Sequence, residues 1–213
     1  MANFDVAYSH TLKNEGGYQS HSSDKGNYNS KNELVGTNFG ISAPTLERYL
    51  GVAPTKEMMQ NLPLTTAKAI YKKNYWDAYG IGSINDQYTA NQLFDSFVMS
   101  SPNAVATFVQ KAINTIPPFR ADVDGIFGNG TRASINLIVK AQKAKQLNDA
   151  IAKFRLAYIN SLNSSAFYNG WKTRIESFMN WQQLESVAKN SIIPIIAIGL
   201  FFFFIISQKK GKK

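Results

Sequence analysis

The chain has 213 residues, a formal net charge of +9 and no cysteine. The absence of cysteine excludes disulfides, thiol catalysis and cysteine-based zinc sites. An apolar fraction of 44% is sufficient for a hydrophobic core, and the length allows one domain with an appendage. A basic surface favours anionic partners such as nucleic acid, anionic lipid or cell-envelope polymers, and charge alone does not choose among them.

The first predicted element is an amphipathic helix over residues 3–14. Its apolar side chains recur at three- and four-residue intervals, at Phe4, Ala7, Tyr8 and Leu12. Gly16 and Gly17 follow, and glycine can adopt the left-handed conformation that closes a helix. Glu15 therefore falls at the helix end, where partial burial would suit a carboxyl group to general acid catalysis. The alternative is an ordinary helix-terminal acid without a catalytic role.

The rest of the globular region is predicted to be mostly helical. Residues 19–42 are polar and rich in turn-forming residues, which predicts a long loop or a small irregular hairpin lying over a cleft. After this segment, capping residues, early prolines and apolar spacing predict helices. Their ranges are 43–50, 65–78, 87–100, 101–115, 131–147, 149–162 and 171–184.

The C-terminus has the pattern of a membrane anchor. Every residue from Ile192 to Ile206 is apolar, proline or glycine, and no charged residue lies between Lys189 and Lys209. Such a run spans about 22 Å as a helix, at about 1.5 Å per residue. Together with its flanks it predicts a transmembrane helix over residues 188–208. The alternative is a buried core helix.

The position of the lysines predicts the orientation of this anchor. The basic tail 209–213 is expected on the cytoplasmic or virion-interior side, in a host cell membrane or a lipid-containing virion. Residues 1–20 lack the apolar segment of a signal peptide. Export through the terminal helix and a tail anchor that leaves the enzyme in the cytoplasm both remain open.

A series of motifs occurs in order within residues 3–180. They are Glu-Gly-Gly-Tyr at 15–18, Asp-Lys-Gly at 24–26, Thr-Asn-Phe-Gly-Ile-Ser at 37–42, the segment 64–71, Tyr-Trp-Asp at 75–77, Gln-Leu-Phe-Asp-Ser at 92–96, Val-Asp-Gly-Ile-Phe-Gly at 123–128, and the segment 170–176. In this order they resemble glycoside hydrolase family 108, the lysozyme-like N-acetylmuramidases common in phages and bacteria. The resemblance implies a mainly α, lysozyme-like fold with a small irregular or β lobe.

The same resemblance implies a domain organisation. Residues 1–84 are expected to form the lysozyme-like catalytic region. Residues 85–184 resemble a type 3 peptidoglycan-binding region and are expected to complete the cleft. Within them, the Asp124-Gly125 stretch is either part of a wall-binding motif or a well-made turn before the next helix. The transmembrane helix 188–208 and the basic tail 209–213 follow.

The resemblance also assigns catalytic roles. Glu15 is expected to be the general acid. Asp24 follows it at an interval similar to that of phage-type lysozymes, where the aspartate and a downstream threonine orient the attacking water; Thr37 is the matching hydroxyl, at a longer offset. A wide separation of the two carboxyl groups would leave room for this water and imply inversion. The alternative for Asp24 is a turn in which it accepts backbone amides.

Three further residues are candidates for substrate binding. Tyr18 and Asn38 could hold the N-acetyl group or ring oxygens of a sugar, although Tyr18 could equally be a packing aromatic. Asp95 is expected on the cleft side of a helix, where it binds substrate or holds the irregular lobe. His10 and His21 lie eleven residues apart without ligand-spaced neighbours, so no metal and no cofactor are predicted.

The leading hypothesis is a membrane-anchored N-acetylmuramidase that cleaves the β-1,4 bond between N-acetylmuramic acid and N-acetylglucosamine. Its expected partners are peptidoglycan glycan strands and membrane lipid, and no nucleic acid. Three alternatives remain: a lytic transglycosylase, a non-catalytic wall-binding virion protein, and a membrane-permeabilising factor that depends only on the terminal helix.

Overall fold

The computed structural model describes residues 1–12, 17–162 and 168–179. Contacts divide the chain into two compact units, of which the first is Met1–Phe154 and the second begins at Arg155. The predicted transmembrane helix 188–208 and basic tail 209–213 lie outside the described residues. Among those that are described, no helix combines the length and the apolar character that a membrane span needs.

The described residues are mainly helical, which confirms the predicted α class. The α-helices are α1 (Phe4–Thr11), α2 (Ala43–Leu50), α3 (Lys56–Gln60), α4 (Leu64–Tyr71), α5 (Gln87–Met99), α6 (Pro102–Asn114), α7 (Asn129–Lys140) and α8 (Ala144–Ser161). Short 3-10 turns occupy Lys25–Asn27 and Ile81–Ser83, and a π-helical segment, Lys72–Asp77, continues α4. Residues 168–179 are also helical.

Two helix predictions were wrong in detail. The helix predicted over 131–147 ends at Lys140, because Gln142 takes a left-handed conformation with φ of 59° and breaks it. The next helix, α8, begins at Ala144 rather than at 149. The five-residue α3 was not predicted; it begins where the hydroxyl of Thr55 accepts a hydrogen bond from the Met58 amide.

The core of the first unit is built around α5. Its residues from Thr89 to Phe97 are all buried, although several are polar. The ring of Phe94 meets the rings of Phe4 and Trp76 edge to face, at 5.7 and 6.0 Å between centroids. Helix α1 thus packs across α5 through large apolar side chains, which contribute most of the stabilisation in such a core.

Buried polar groups on α5 find partners in the first turns of α8. Asn148 donates a hydrogen bond to the Thr89 hydroxyl at 3.1 Å. In the amide orientation that satisfies both of its polar atoms, Gln92 donates to the Asn148 side chain at 2.8 Å and accepts from the Ala152 amide at 3.2 Å. Burying a polar group costs free energy mainly when the group has no hydrogen-bond partner. These hydrogen bonds therefore allow the polar side chains of α5 to be buried.

Residues 17–42 form an irregular lobe, as the turn-rich sequence predicts. Three isolated antiparallel bridges cross it, Gln19 with Thr37, Tyr28 with Leu34, and Asn38 with Ile41. The fully buried Asn27 supports its centre, because its carbonyl oxygen accepts the amides of Val35 and Gly36, both at 2.9 Å.

Side-chain hydrogen bonds fasten this lobe to the helices. The amide of Asn38 donates to the Met59 carbonyl of α3 at 2.8 Å, and the Tyr71 hydroxyl of α4 donates to the Phe39 carbonyl at 3.2 Å. Glu47 of α2 accepts hydrogen bonds from the amide and the hydroxyl of Ser30. The lobe is therefore positioned by directional bonds at several points along α2, α3 and α4.

The second unit contains the C-terminal part of α8 and the helix 168–179. Arg155 is 3% exposed, and its guanidinium carbon lies 5.7 Å from the centroid of the Phe178 ring. Ile159 and Ile175 are buried in the same unit. The domain boundaries predicted after residues 84 and 184 stay predictions.

Candidate active site

The predicted general acid, Glu15, lies outside the described residues. The chain on either side of it is described. Helix α1 ends at Thr11, and the amide of Leu12 donates to the Tyr8 carbonyl at 3.0 Å to close its last turn. The chain continues at Gly17 and then enters the lobe. In the sequence, Glu15 follows α1 and precedes the lobe that carries Asp24 and Thr37.

Asp24 is held in a fixed orientation at the surface of the lobe. One carboxylate oxygen, Oδ1, accepts a hydrogen bond from the Gly26 amide at 2.8 Å and caps the turn Lys25–Asn27. The other, Oδ2, accepts from the Gln19 side-chain amide at 3.3 Å. The turn that the sequence offered as an alternative is therefore present. Because the carboxylate is also exposed to solvent, it remains accessible to a water molecule.

Gln19 is the residue that connects the candidates. Its side-chain amide group exchanges two hydrogen bonds with the Asn27 side chain, at 2.9 and 3.1 Å, and accepts a third from the His21 amide at 3.0 Å. Its backbone pairs with Thr37 in both directions, at 2.9 and 2.8 Å. Asp24 and Thr37 are thus brought into one arrangement, the Gln19 cluster, which consists of Gln19, Asp24, Asn27 and Thr37.

Sequence reasoning missed Gln19 entirely. Glutamine has no preferred place in a turn, and nothing in its neighbourhood marks it as a shared partner. The bridge between residues 19 and 37 is a contact across most of the lobe, and only the folded chain shows it.

The hydroxyl group of Thr37 is not bonded to any of the described residues. The residue is partly exposed. Since its backbone is fixed by the pairing with Gln19, the hydroxyl can bind a water without any loss of internal hydrogen bonds. This suits the water-orienting role predicted for it, which stays a prediction.

Tyr18 and Asn38 have structural contacts. The Tyr18 hydroxyl donates to the Val35 carbonyl at 3.0 Å, and its ring lies directly beside Gly36. Asn38 is only 4% exposed and donates to the carbonyls of Met59 and Gln60. Its side-chain oxygen, Oδ1, is buried without a partner among the described residues. Both side chains are therefore placed to support the lobe, and the sugar-binding roles predicted for them stay predictions.

Asp95 is completely buried in α5, with an exposed fraction of 0%. The substrate-binding role predicted for Asp95 stays a prediction, as does the alternative that Asp95 holds the irregular lobe.

Metal ligands do not cluster in the part of the chain that the structure describes. Within it, no group of three histidine, cysteine, aspartate or glutamate residues could bind a metal ion. His10 lies on α1 and His21 in the lobe. The prediction that the chemistry needs no metal or cofactor stays a prediction.

The carboxylate of Glu47, which accepts two hydrogen bonds from the lobe, has a shifted pKa. The hydrogen bonds from the Ser30 hydroxyl and amide lower the pKa of Glu47 from its ordinary value, and the nearby Lys31 acts in the same direction. Glu47 is therefore ionised at neutral pH and keeps the tip of the lobe on α2.

Part of the chain is similar to a known protein family. Residues 8–100 match the model of the family described as Glycosyl hydrolase 108. Among solved structures, "Structure of Brucella abortus SagA" is similar, with a TM-score of 0.64 and 26% identity over 83% of this chain and 91% of that one. No curated protein sequence matches. Residues 8–100 are thus similar to the glycosyl hydrolase 108 family, and this match supports a glycoside hydrolase.

Proposed function

We propose that the chain is a peptidoglycan hydrolase, an N-acetylmuramidase that cleaves the β-1,4 bond between N-acetylmuramic acid and N-acetylglucosamine. The observation that carries the proposal is the family match over residues 8–100. This segment includes the three predicted catalytic residues Glu15, Asp24 and Thr37. The likeness to the Brucella abortus structure over most of both chains is a second support.

Hydrolysis would use the two sides of the sugar ring. Glu15 donates a proton to the oxygen of the leaving sugar while the bond to the anomeric carbon breaks. Asp24, oriented by Gly26 and Gln19, accepts a proton from the attacking water, and the hydroxyl of Thr37 helps to position that water. The water supplies its hydroxyl group to the new reducing end and its remaining proton to Asp24, while the leaving sugar takes its proton from Glu15. A water between the two carboxyl groups implies inversion of configuration.

The masses of the products test this proposal. The full chain is incubated with purified sacculi, and the released muropeptides are weighed. Hydrolysis gives fragments with a complete reducing end. Fragments that lack one water would instead show a lytic transglycosylase, and the absence of any release would show a non-catalytic wall-binding protein; either result overturns the proposal.

We also propose that residues 188–208 anchor the enzyme in a membrane, with the tail 209–213 on the cytoplasmic or virion-interior side. The support is the uncharged apolar run between Lys189 and Lys209. Flotation with anionic vesicles tests it. We expect the full chain to float and Phe202→Arg to float much less, because a charge in the middle of the run opposes insertion.

The matched control for flotation is Val52→Arg. Val52 is an apolar residue of the globular region that is 58% exposed, so this variant adds the same charge outside the proposed anchor. Equal flotation of wild type and Phe202→Arg would contradict the anchor.

A further inference from the structure

Asn27 is the buried member of the Gln19 cluster, with an exposed fraction of 0%. Its backbone is held on both sides, because its amide donates to the Asp24 carbonyl at 3.1 Å and its carbonyl oxygen accepts from the amides of Val35 and Gly36, both at 2.9 Å. A side chain in this position does not reach a substrate. Any influence of Asn27 on a reaction must therefore pass through the residues that it contacts.

The side-chain amides of Gln19 and Asn27 form a complete set of hydrogen bonds. Asn27 Nδ2 donates to Gln19 Oε1 and to the His21 carbonyl, both at 2.9 Å. Gln19 Nε2 donates to Asn27 Oδ1 at 3.1 Å and to Asp24 Oδ2 at 3.3 Å. Gln19 Oε1 also accepts from the His21 amide at 3.0 Å. Each of the two amide nitrogens thus uses both of its hydrogens.

The backbone of His21 fixes the direction of both side-chain amides. Its carbonyl oxygen can only accept a hydrogen bond, so the nitrogen of Asn27 must face it. Its amide can only donate, so the oxygen of Gln19 must face it. A reversed Gln19 would present its oxygen to the Asp24 carboxylate and to Asn27 Oδ1. Only one orientation of the two amides therefore gives Asp24 a donor.

This donor matters because the carboxylate of Asp24 needs two hydrogen bonds to be fixed. The torsion between Cβ and the carboxylate carbon of an aspartate is soft. The bond from the Gly26 amide to Oδ1, at 2.8 Å, holds one oxygen. The bond from Gln19 to Oδ2 holds the other and so fixes the plane of the group. The remaining lone pairs then have a constant direction in which to accept a proton from water.

We propose that Asn27 is a positioning residue for the hydrolytic reaction. It holds the Gln19 amide in the orientation that donates to Asp24, and thereby fixes the carboxylate that receives the proton of the attacking water. The inference rests on the proposed function, since it concerns the same catalytic site. Asn27 itself touches neither the substrate nor the reacting atoms and acts only through Gln19.

A double-mutant cycle between Asn27→Ala and Gln19→Leu tests this transmission, with the hydrolysis of sacculi as the assay. Asn27→Ala alone should lower kcat about three- to tenfold with KM unchanged, because Asp24 keeps the Gly26 bond and loses its fixed plane. Added to Gln19→Leu, it should lower kcat no further, since the connection from Asn27 to Asp24 is already broken. Residues that act independently would instead show the product of the two losses.

The matched control is Asn148→Ala. Asn148 is also a buried asparagine, 5% exposed, and its side chain bonds to Thr89 and Gln92 in the helical core. This variant loses buried hydrogen bonds as Asn27→Ala does, so it should also be less stable, with an unchanged kcat. Rates are compared at a temperature at which chemical denaturation shows the variants to be folded.

Three results would overturn the inference: a wild-type kcat for folded Asn27→Ala, losses that multiply in the double variant, or an equal loss of kcat in Asn148→Ala. Asn27→Ser, whose hydroxyl can still donate and accept, takes the place of Asn27→Ala if the latter does not fold. If neither variant folds while Asn148→Ala does, Asn27 is required for the structure of the lobe and the positioning role is wrong.

This inference can fail separately from the proposed function. If wild-type protein releases no fragments from sacculi, the hydrolase proposal itself is wrong. If the wild type is active and Gln19→Leu lowers kcat while Asn27→Ala does not, only the role of Asn27 is wrong.

Discussion

The helical core and the irregular lobe of the first unit are stabilised in different ways. In the core, Phe4, Trp76 and Phe94 meet at 5.6 to 6.0 Å between ring centroids. In the lobe, the buried residues include Asn27 and Asn38, which act through hydrogen bonds to the backbone. Apolar packing is non-directional and tolerates small shifts, whereas hydrogen bonds fix angles as well as distances.

This difference matters for catalysis because Asp24 and Thr37 both lie on the lobe. The carboxylate and the hydroxyl must hold one water in a fixed position. Their relative geometry therefore matters more for activity than the amount by which the lobe stabilises the fold. The contrast gives a clear expectation. Changes in the core should lower the stability of the protein, and changes in the lobe should lower activity by more than their effect on stability.

Phe94→Ala should have the largest effect on stability. The side chain is fully buried between Phe4 and Trp76, and its removal leaves a cavity. We expect the free energy of unfolding to fall by about 3 to 5 kcal/mol, measured by chemical denaturation. Val52→Ala, at an exposed apolar position, should change it by less than about 0.5 kcal/mol. A loss no greater than that of the control would show that the core does not depend on this packing.

Gly36→Ala should disturb the lobe more than the core. Gly36 has φ of +93°, and an added Cβ would approach within 2.6 Å of the Gln19 carbonyl oxygen and collide with the Tyr18 ring. We expect a cost of about 1 to 2 kcal/mol from the left-handed conformation and about 1 to 3 kcal/mol from the collision, together with a large loss of activity on sacculi.

The matched control for this change is Gly51→Ala. Gly51 has φ of +76°, and no atom lies within 4 Å of the position of an added Cβ. Gly51→Ala therefore has the cost of the left-handed conformation without a collision. If both variants lose the same stability and the same activity, the close contact between Gly36, Tyr18 and Gln19 has no role in holding the site.

Gln19→Leu separates orientation from stability. The substitution removes the side-chain hydrogen bonds to Asp24 and Asn27 and leaves the backbone pairing with Thr37. We expect unfolding free energy to fall by about 1 to 2 kcal/mol, and kcat to fall by about tenfold or more because the Asp24 carboxylate is no longer oriented. Gln60→Leu, at an exposed position of α3, should leave both unchanged. A normal kcat for Gln19→Leu would exclude the Gln19 cluster from catalysis.

The smallest expected effect is a pH dependence at the contact between the lobe and α2. The pKa of Glu47 is lowered in the folded protein, first by the Ser30 hydroxyl and then by the Ser30 amide. Its contribution to stability is therefore present above the ordinary pKa of 4.5 and is lost as the pH falls through the folded value. The melting temperatures of wild type and Glu47→Gln should converge at acid pH. A constant difference between them would contradict this origin.

The parts of the fold that could be predicted from the sequence are those with a local cause. Pro102 and the apolar spacing behind it predict α6 to within one residue at each end, because an early proline and amphipathic spacing act within one helix. The break at Gln142 was missed because glutamine in a left-handed conformation has no sequence signal of its own.

The candidate site was predictable to a smaller extent. The turn chemistry of Asp24 is local and was anticipated as one alternative. The role of Gln19 depends on segments that are distant in the sequence, because its backbone pairs with Thr37. Such contacts follow from tertiary packing, which no motif in a single chain encodes.

The most direct test of the proposed mechanism is the rate of sacculus hydrolysis by Glu15→Gln. A general acid typically contributes about 10²- to 10⁴-fold, so we expect a loss of that size in kcat with the fold unchanged by circular dichroism. Glu57→Gln, an exposed glutamate of α3, is the control and should retain the wild-type rate. Wild-type hydrolysis by Glu15→Gln would contradict the mechanism.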